Sequence, residues 1–436
     1  MAGCWEALAP LQSAPQPRPR LPVLAVLQDG HFRSLWYVGS LNELCRRMEL
    51  LVLSWLVLQT TNSPFQLGLV LVFNNLPRPL FSPFSGIIAD RISRQRVLVA
   101  AQIITSATAG AILALIMLDR IATWHVFLAV AMQGATKALE DPSRRTAILD
   151  IVGAQRLVNA LSLDQISNTV GKMAGPLMFG FLVDASGFVG AYIFVLIIHL
   201  LTLTVLLMGV RIPRGQGSRT REPVWRSLGE AVQYALHSRM LLGMLGITIF
   251  MNALAFPAQQ FIPAIGRDHL HVGATLVGLL VAAEGLGQML GAVVMAFTRN
   301  VRYHGRIFVI GSVMALCSAM LFVWSPWFGL TFVILTIGGI GQAGFGTMQS
   351  AITMLGAPPE MRGRMMGLLS VCIGSGTPLG TVEIGALAAA YGTPLSISVN
   401  AFAGLLLMIP AVLLTPIVTR PTTATQTAER SGVQSP

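Results

Sequence analysis

Long apolar stretches alternate along this chain with short polar connections. Each of twelve stretches is long enough for a helix that crosses about 30 Å of hydrocarbon, which takes roughly 20 residues. We therefore predict an all-α membrane protein with twelve transmembrane helices. In chain order, the predicted spans are Leu35–Thr60, Gln66–Ala89, Val97–Leu118, Thr123–Leu139, Leu157–Val183, Phe188–Val210, Met240–Ile265, Val272–Phe297, Ile307–Trp324, Trp327–Leu355, Arg364–Ala390 and Pro394–Val418.

The basic residues follow the same alternation, because nearly all of them fall in every second connection. A bias of this kind marks the cytoplasmic side of a multi-pass protein. We therefore predict a protein of the cell inner membrane with both termini in the cytoplasm. The predicted outer connections hold Arg120 and Arg267. The predicted inner connections hold Arg91, Arg94, Arg96, Arg144, Arg145, Arg156, Arg211, Arg214, Arg219, Arg221, Arg226, Arg239, Arg299, Arg302, Arg306, Arg362 and Arg364.

Composition supports a membrane protein and argues against other classes. Hydrophobic residues make up 54% of the chain and charged residues 11%, which is more apolar side chain than one water-soluble core accommodates. The net charge is +11, but the cations interrupt apolar runs, whereas a nucleic-acid-binding protein clusters them on one polar face. The four cysteines have no metal-ligand spacing, and no catalytic nucleophile or phosphate loop is recognisable. We expect neither an enzyme nor a bound cofactor.

The predicted helices form two six-helix halves, residues 33–210 and residues 240–418. The longest connection, residues 211–239, separates them and contains a short amphipathic run. Disordered tails are predicted at residues 1–32 and 419–436. Gly86 of the first half matches Gly291 of the second, 205 residues later. Duplicated halves place a substrate cavity at their interface, near the middle of the bilayer.

The connection between the second and third spans carries a motif. Starting at Gly86, it reads G-I-I-A-D-R-I-S-R-Q-R-V-L, which resembles the major facilitator superfamily signature G-x-L-A-D-R-x-G-R-R-x-x-L. Gly86 permits close helix approach, and Asp90 can accept hydrogen bonds that latch this side of the bundle. Arg91, Arg94 and Arg96 also set the topology, which is the alternative interpretation of the cluster.

The fifth span contains a second motif, G-K-M-A-G-P, in which Gly171, Gly175 and Pro176 are similar to the G-x-x-x-G-P motif of exporters in this superfamily. Small residues at this spacing allow tight helix packing, and the proline bends the helix. Generic small-residue packing is the alternative interpretation. Arg362 and Arg364, in the sequence P-P-E-M-R-G-R before the eleventh span, complete the predicted gating motifs.

Together with D-P-S-R after the fourth span and L-V-N-A at the start of the fifth, these motifs resemble the enterobactin-exporter and macrolide-efflux group of the superfamily. The resemblance implies a twelve-helix rocker-switch transporter that exports small amphiphilic molecules, usually in exchange for protons. Two positions depart from the pattern. Val130 stands where many drug/proton antiporters carry an arginine, and Cys45 and Arg46 stand where relatives often have an aspartate after a glycine. The usual coupling groups are therefore missing.

Charged side chains inside the predicted spans are the first candidates for a functional site. An ionisable group at the centre of a membrane helix costs about 2.5–3.5 kcal/mol on insertion scales, so each one requires a partner or a wet cavity. In the first span, Glu43 and Arg47 are four residues apart and Arg46 and Glu49 are three apart, so each pair can meet on the helix surface. The alternative is that these side chains line the substrate pathway.

A basic wall is predicted from two further cations. Arg78 lies between two prolines of the second span, where irregular backbone is expected to line a cavity, and Lys172 lies in the fifth span. Such a wall suits an anionic or carbonyl-rich substrate. Asn74, Asn252 and Gln342 either line the same pathway or bridge helices.

Two carboxylates, Glu284 of the eighth span and Glu383 of the eleventh, have no cation near them in sequence. Each is protonated in place, paired with a cation of the other half, or a proton carrier. With Glu43, they are the predicted proton-coupling residues. His199 of the sixth span is interpreted as a buried, hydrogen-bonded imidazole and not as a proton relay.

The predicted function is secondary export of a small amphiphilic molecule across the bilayer by a monomer, with H⁺ as the coupling ion. An importer of an organic anion would suit the basic wall equally well. A non-transporting membrane scaffold or sensor is the alternative from another class, although a scaffold has no reason to keep uncompensated charges in the bilayer.

Overall fold

The computed structural model describes residues 26–77, 80–81, 93–153, 156–209, 224–297, 303–358 and 361–419, and none of these residues lies in a strand. We number the helices by predicted span. They are α1 (Gly30–Thr61), α2 (Pro64–Asn75), α3 (Arg94–Met117), α4 (Thr123–Val152), α5 and α6 (the two limbs of Leu157–Gly209), α7 (Arg239–Asp268), α8 (Ala274–Phe297), α9 (His304–Phe322), α10 (Phe328–Leu355), α11 (Arg362–Tyr391) and α12 (Thr393–Leu414).

The apolar helices confirm the prediction of an all-α membrane protein. Eight of the described helices are long and apolar enough to cross a membrane. One of these, Asn159–Gly209, has 51 residues and holds both α5 and α6, which meet at Gly187. Gly187 has a φ of +66°, a conformation that glycine adopts readily. α1 has 32 residues but carries four charges between positions 43 and 49, which lowers its mean hydropathy.

Local sequence explains both ends of α1. The Oδ1 of Asp29 accepts hydrogen bonds from the backbone N–H groups two and three residues further on, at 2.9 and 3.1 Å, and so caps the helix. The helix ends at Asn62, which has a left-handed φ of 49°. Because α1 begins at Gly30 and a 3-10 turn precedes it at Val26–Gln28, the predicted tail does not extend to residue 32.

Two helices differ from the predicted spans. α4 continues past the predicted end at Leu139 to Val152, with Pro142 inside it. α7 contains a π-helical turn at Met251–Ala255 and is interrupted again before its last segment, Ile262–Asp268. Irregular backbone at membrane depth is tolerated where protein covers it or where it lines a cavity.

A linker helix, Val224–His237, lies in the connection between the halves, where the amphipathic run predicts it. Ala231 and Ala235 are buried, and the Oη of Tyr234 donates to the carbonyl oxygen of Gly356 at 3.2 Å. The linker helix therefore packs against the second half.

The two halves meet along two seams, one between α5 and α8 and one between α2 and α11. A Cβ atom on Gly180 of α5 would lie 2.5 Å from the carbonyl oxygen of Ala274 in α8. A Cβ atom on Gly68 of α2 would lie 3.2 Å from the carbonyl oxygen of Thr381 in α11. Small residues thus allow the halves to approach closely. We call the end of the bundle where α1 begins the basic end, because the arginine-rich connections lie there, and the opposite end the far end; both contacts lie towards the far end.

Candidate functional site

A cavity of about 660 Å³ lies between the two halves. Helices α1, α2, α4 and α5 supply one wall, and α7, α8 and α10 supply the other. Its lining reaches Gln165 and Thr169 near the start of α5 and Thr347 near the end of α10, all of which lie towards the basic end. Because the seams close the far end, the cavity extends from the middle of the bundle towards the basic end. Its volume is in the range of sites that hold small organic molecules.

The cavity brings together most of the residues that the sequence predicts for the substrate pathway. Arg78 lies outside the described residues. The predicted residues that line the cavity are Glu43, Arg46, Arg47, Asn74, Lys172, Glu284 and Gln342.

Two predicted residues lie elsewhere. Asn252 is 3% exposed; its Nδ2 donates to the carbonyl oxygen of Thr248 at 2.9 Å, and its Oδ1 accepts from the Oγ1 of Thr377 at 3.5 Å. It therefore bridges α7 and α11. Glu383 is exposed on the surface of α11. The structure thus places Asn252 and Glu383 outside the described lining of the cavity.

Two of the charges of α1, Glu43 and Arg46, are paired, but with different partners from those that the spacing predicts. Both terminal nitrogens of Arg46 donate to Oε2 of Glu140 in α4 at 3.1 Å, and Arg46 also lies 3.8 Å from Glu43. Lys137 of α4 forms an ion pair with Glu43. Removing one partner of a buried ion pair leaves the other charge buried and uncompensated, which costs about 3–5 kcal/mol, so loss of one member of this cluster would destabilise the contact between α1 and α4. Sequence reasoning missed Lys137 and Glu140, although their spacing of three residues in a largely apolar helix is a detectable signal.

Glu49 faces away from the cavity, into the packing of the first half. Its carboxylate lies 3.4 Å from both the Nε2 of His199 and the Oη of Tyr192, and all three side chains are buried. Gln102 also lies against the imidazole, with its Nε2 3.3 Å from Nδ1 of His199. The interpretation of His199 as a buried, hydrogen-bonded imidazole agrees with this arrangement.

A chain of polar contacts crosses the cavity from one half to the other. The Nζ of Lys172 in α5 donates to Oε1 of Gln288 in α8 at 3.3 Å, and the Nε2 of Gln288 donates to Oε1 of Glu284 at 3.0 Å. The Nε2 of Gln288 also donates to Gln342 of α10 at 2.9 Å. With its amide oriented to donate, Gln259 of α7 lies 2.8 Å from Glu284. Among the described residues, the hydrogen-bond partners of Glu284 are therefore neutral amides. Lys172 is linked to Glu284 through the amide of Gln288.

The glycine and proline motif of α5 holds three helices together. A Cβ atom on Gly175 would lie 2.6 Å from Cβ of Arg47, and one on Gly171 would lie 3.3 Å from the carbonyl carbon of Glu43. The carbonyl oxygen of Pro176 lies directly against Gly278 of α8, at the seam between the halves. The motif thus packs α5 against α1 on one side and α8 on the other, while its role in gating stays a prediction.

Polar contacts close the far end of the cavity. The Oδ2 of Asp184, at the end of α5, accepts a hydrogen bond from the backbone N–H of Thr275 at 2.8 Å, in the first turn of α8. The positive end of the α8 dipole favours this carboxylate. Arg267, one of the two arginines in the predicted outer connections, donates to the carbonyl oxygen of Leu58 and to Oδ1 of Asn62, the latter at 3.1 Å. We call these contacts of Asp184 and Arg267 the far-end latch.

At the basic end, the described ion pairs of the predicted gating arginines Arg94 and Arg364 do not join one half to the other. Arg94 pairs with Asp150 between α3 and α4, and Arg364 pairs with Glu230 of the linker helix. The Nε of Arg362 donates to a backbone carbonyl oxygen of α10, that of Met354, at 3.0 Å. Arg96 is exposed at the start of α3. Gly86, Asp90 and Arg91 lie outside the described residues, so the latch at Asp90 stays a prediction.

The sequence of this chain is similar to a family model and to named export proteins. A family model described as "Transmembrane secretion effector" matches residues 22–435. The enterobactin exporter EntS of Citrobacter koseri is 25% identical over 357 residues, which cover 80% of this chain and 84% of that protein. Macrolide efflux protein A of Streptococcus pyogenes is 17% identical over 357 residues, covering 80% of this chain and 87% of that protein.

Solved structures share the architecture. A bacterial homologue of the human lysosomal transporter Spinster, in an inward-facing and unoccupied conformation, matches with a TM-score of 0.67 and 16% identity, covering 96% of this chain and 100% of that one. The nucleoside transporter NupG matches with a TM-score of 0.70 and 14% identity, covering 88% of this chain and 98% of that one. At these identities the likeness concerns the fold.

Proposed function

From the family to which this chain belongs, the transmembrane secretion effector family, we propose that it exports a small amphiphilic molecule by alternating access. Members of this family are major facilitator transporters and not enzymes. The observation that carries the proposal is the polar cavity between the halves, closed at the far end and extending towards the basic end. Two relatives are named for the export of enterobactin and the efflux of macrolides, which supports outward transport by this chain.

The two seams are the proposed pivots of a rocker switch. The closely packed glycines of α5 with α8 and of α2 with α11 let each half rotate against the other without large side chains in the way. Rotation breaks the far-end latch and closes the cavity towards the basic end. By the positive-inside rule the basic end faces the cytoplasm, so the substrate enters from the cytoplasm and leaves on the other side.

Proton coupling is proposed at Glu284. Its carboxyl lines the cavity, and the amides of Gln259, Gln288 and Gln342 lie against it. Neutral partners leave the carboxyl able to take up and release a proton as the cavity changes sides, whereas a direct ion pair would hold it ionised. Lys172 and Arg47 are close enough to Glu284 to interact with its carboxyl group electrostatically. Both halves of one chain contribute to the described lining of the cavity, which supports transport by a monomer.

The predicted water-filled cavity is tested by labelling two neighbouring positions of α5. Thr169 lines the cavity, whereas Val170 is 55% exposed and is not among its described lining residues. In a background without the native cysteines, we expect Thr169→Cys to react with a membrane-impermeant methanethiosulfonate reagent in inside-out vesicles. Val170→Cys, the matched control on the lipid-facing side, should not react.

Either of two results would contradict this prediction. Equal labelling of Val170→Cys and Thr169→Cys would mean that this side of α5 does not face lipid. Labelling of Thr169→Cys from the outside of intact cells but not in inside-out vesicles would reverse the proposed orientation. A compound from a thermal-shift screen of the purified protein that slows the labelling of Thr169→Cys would identify a ligand of the cavity.

A further inference from the structure

Arg47 differs from the other cations of the cavity in its contacts. Arg46 is paired with Glu140, Lys137 is paired with Glu43, and Lys172 donates to an amide. The guanidinium of Arg47 has neither an ion pair nor a hydrogen bond to any residue in the described part of the chain. Its side chain is partly exposed and lines the cavity.

The position of Arg47 is fixed by packing and not by a charged partner. Gly175 of α5 lies against its Cβ, so the backbone of α1 at this point is held by the α5 motif. The charge of Arg47 interacts with Lys172 and Glu284 across the cavity as well as with Glu43 on its own helix. A cation whose backbone is held in place, and whose guanidinium has no described carboxylate at ion-pair distance, is suited to bind an anionic group of a ligand.

Cations outnumber carboxylates in the described lining of the cavity. Its described lining includes four cations and two carboxylates. Both carboxylates are engaged: Glu43 with Arg46 and Lys137, and Glu284 with Gln288. Arg46 is ion-paired with Glu140 and Lys137 with Glu43, whereas Arg47 and Lys172 have no ion-paired carboxylate among the described residues. These two cations would repel a cationic ligand and attract an anionic one.

Apolar surface completes the site. Leu50 and Leu51 follow Arg47 on α1 and line the cavity. On the opposite wall, Phe256 of α7 and Phe345 of α10 form an edge-to-face pair with ring centroids 5.4 Å apart. Edge-to-face aromatic pairs offer ring faces and edges to a flat apolar group.

From these contacts we propose that Arg47 is the anion-binding residue of the cavity, and that the transported molecule is an amphiphile with a carboxylate or similar planar anionic group. The guanidinium presents a planar fork of donors that matches a carboxylate, and it is more weakly hydrated than an ammonium group. The aromatic pair receives the apolar body of the ligand. This inference rests on the proposed function, because it takes the cavity to be the substrate site.

The test uses three probes of the same shape and different charge: 1-naphthoate, 1-naphthamide and 1-naphthylmethylammonium. Apparent affinities are measured on the purified full-length protein from the concentration dependence of thermal stabilisation. We expect naphthoate to bind about tenfold more tightly than the other two, the size of effect that one charge-assisted contact supplies. Equal affinities for the three probes, or no saturable stabilisation by naphthoate, would overturn the inference.

Variants at position 47 test whether Arg47 causes the preference for naphthoate over the neutral and cationic probes. Arg47→Gln keeps the Cβ that packs on Gly175 and should lose the preference for naphthoate, while Arg145→Gln, which removes an exposed charge outside the described cavity lining, should keep it. If Arg47→Gln does not fold, Arg47→Lys serves as the test variant, because lysine keeps the positive charge but lacks the planar fork of guanidinium donors. We expect naphthoate to bind Arg47→Lys about threefold more weakly than the wild-type protein. Unchanged naphthoate binding by a folded Arg47 variant contradicts the proposal.

Failure of this inference is distinguishable from failure of the proposed function. The binding assay requires no transport, so a preference for the anion in a protein that moves nothing would count against transport alone. Transport without any preference for the anion would count against Arg47 alone.

Discussion

Replacing Glu284 with glutamine is expected to abolish transport driven by a pH gradient while substrate binding and substrate exchange continue. Glutamine has nearly the same shape as glutamic acid and keeps hydrogen bonds to Gln259 and Gln288, but it carries no exchangeable carboxyl proton. If Glu284 takes up the coupling proton, the variant can alternate with substrate but cannot use the gradient. The measurement compares proteoliposomes with an imposed pH gradient and proteoliposomes preloaded with unlabelled substrate.

Glu383→Gln is the matched control for this prediction. It removes a carboxyl from a membrane helix in the same half, but from an exposed position outside the described cavity lining. Gradient-driven transport by this control should stay near the wild-type rate. Full gradient-driven transport by Glu284→Gln would show that Glu284 is structural and would leave Glu43 as the carboxylate of the cavity to test.

A disulfide across the far-end latch is expected to stop transport completely. A Cβ atom on Gly273 would lie 3.9 Å from Cγ of Asp184, so cysteines at these positions come within disulfide range across the α5–α8 seam. If substrate leaves through the far end, a covalent link there holds the halves together and prevents release. Oxidation of the Asp184→Cys/Gly273→Cys protein should therefore block transport, and a reducing agent should restore it.

A second disulfide, placed within one half, controls for cross-linking itself. A Cβ atom on Gly209 of α6 would lie 3.4 Å from Cβ of Ser34 in α1, so Ser34→Cys/Gly209→Cys can also form a bridge. Both residues belong to the first half, which moves as a unit in the proposed mechanism, so this bridge should leave transport intact. Undiminished transport by the oxidised Asp184→Cys/Gly273→Cys protein, with cross-linking confirmed by peptide mass, would exclude opening at the far end.

The sequence predicts the helices of this protein well because one physical quantity, the length of an apolar run, determines whether a segment spans the bilayer. The G-x-x-x-G-P motif was equally informative, since small residues mark close packing whatever their partner. The linker helix followed from its amphipathic pattern in the same way. In each case the signal is local, and a few neighbouring residues suffice to define it.

Partner choice between helices could not be predicted in this way. The spacing in α1 suggested that Arg46 pairs with Glu49, but Arg46 pairs with Glu140 of α4, which is distant in sequence. Asn252 shows the same limit, because a polar residue in a membrane helix either lines a cavity or bridges helices, and its neighbours on α11 decide which. Glu284 lines the cavity, whereas Glu383 lies on the exposed surface of its helix. Which face of a helix points inward depends on packing between distant segments.

Outward transport by a secondary mechanism is the central claim, and uptake by membrane vesicles tests it most directly. The probe is a compound that stabilises the purified protein in the thermal-shift screen. The pH gradient has its cellular direction in both preparations: the interior of inside-out vesicles is acidic, and the medium outside right-side-out vesicles is acidic. We predict accumulation in inside-out vesicles that contain the wild-type protein, dependent on the pH gradient, and none in right-side-out vesicles. Accumulation in right-side-out vesicles instead would show an importer, and a stabilising compound that crosses neither kind of vesicle would contradict transport altogether.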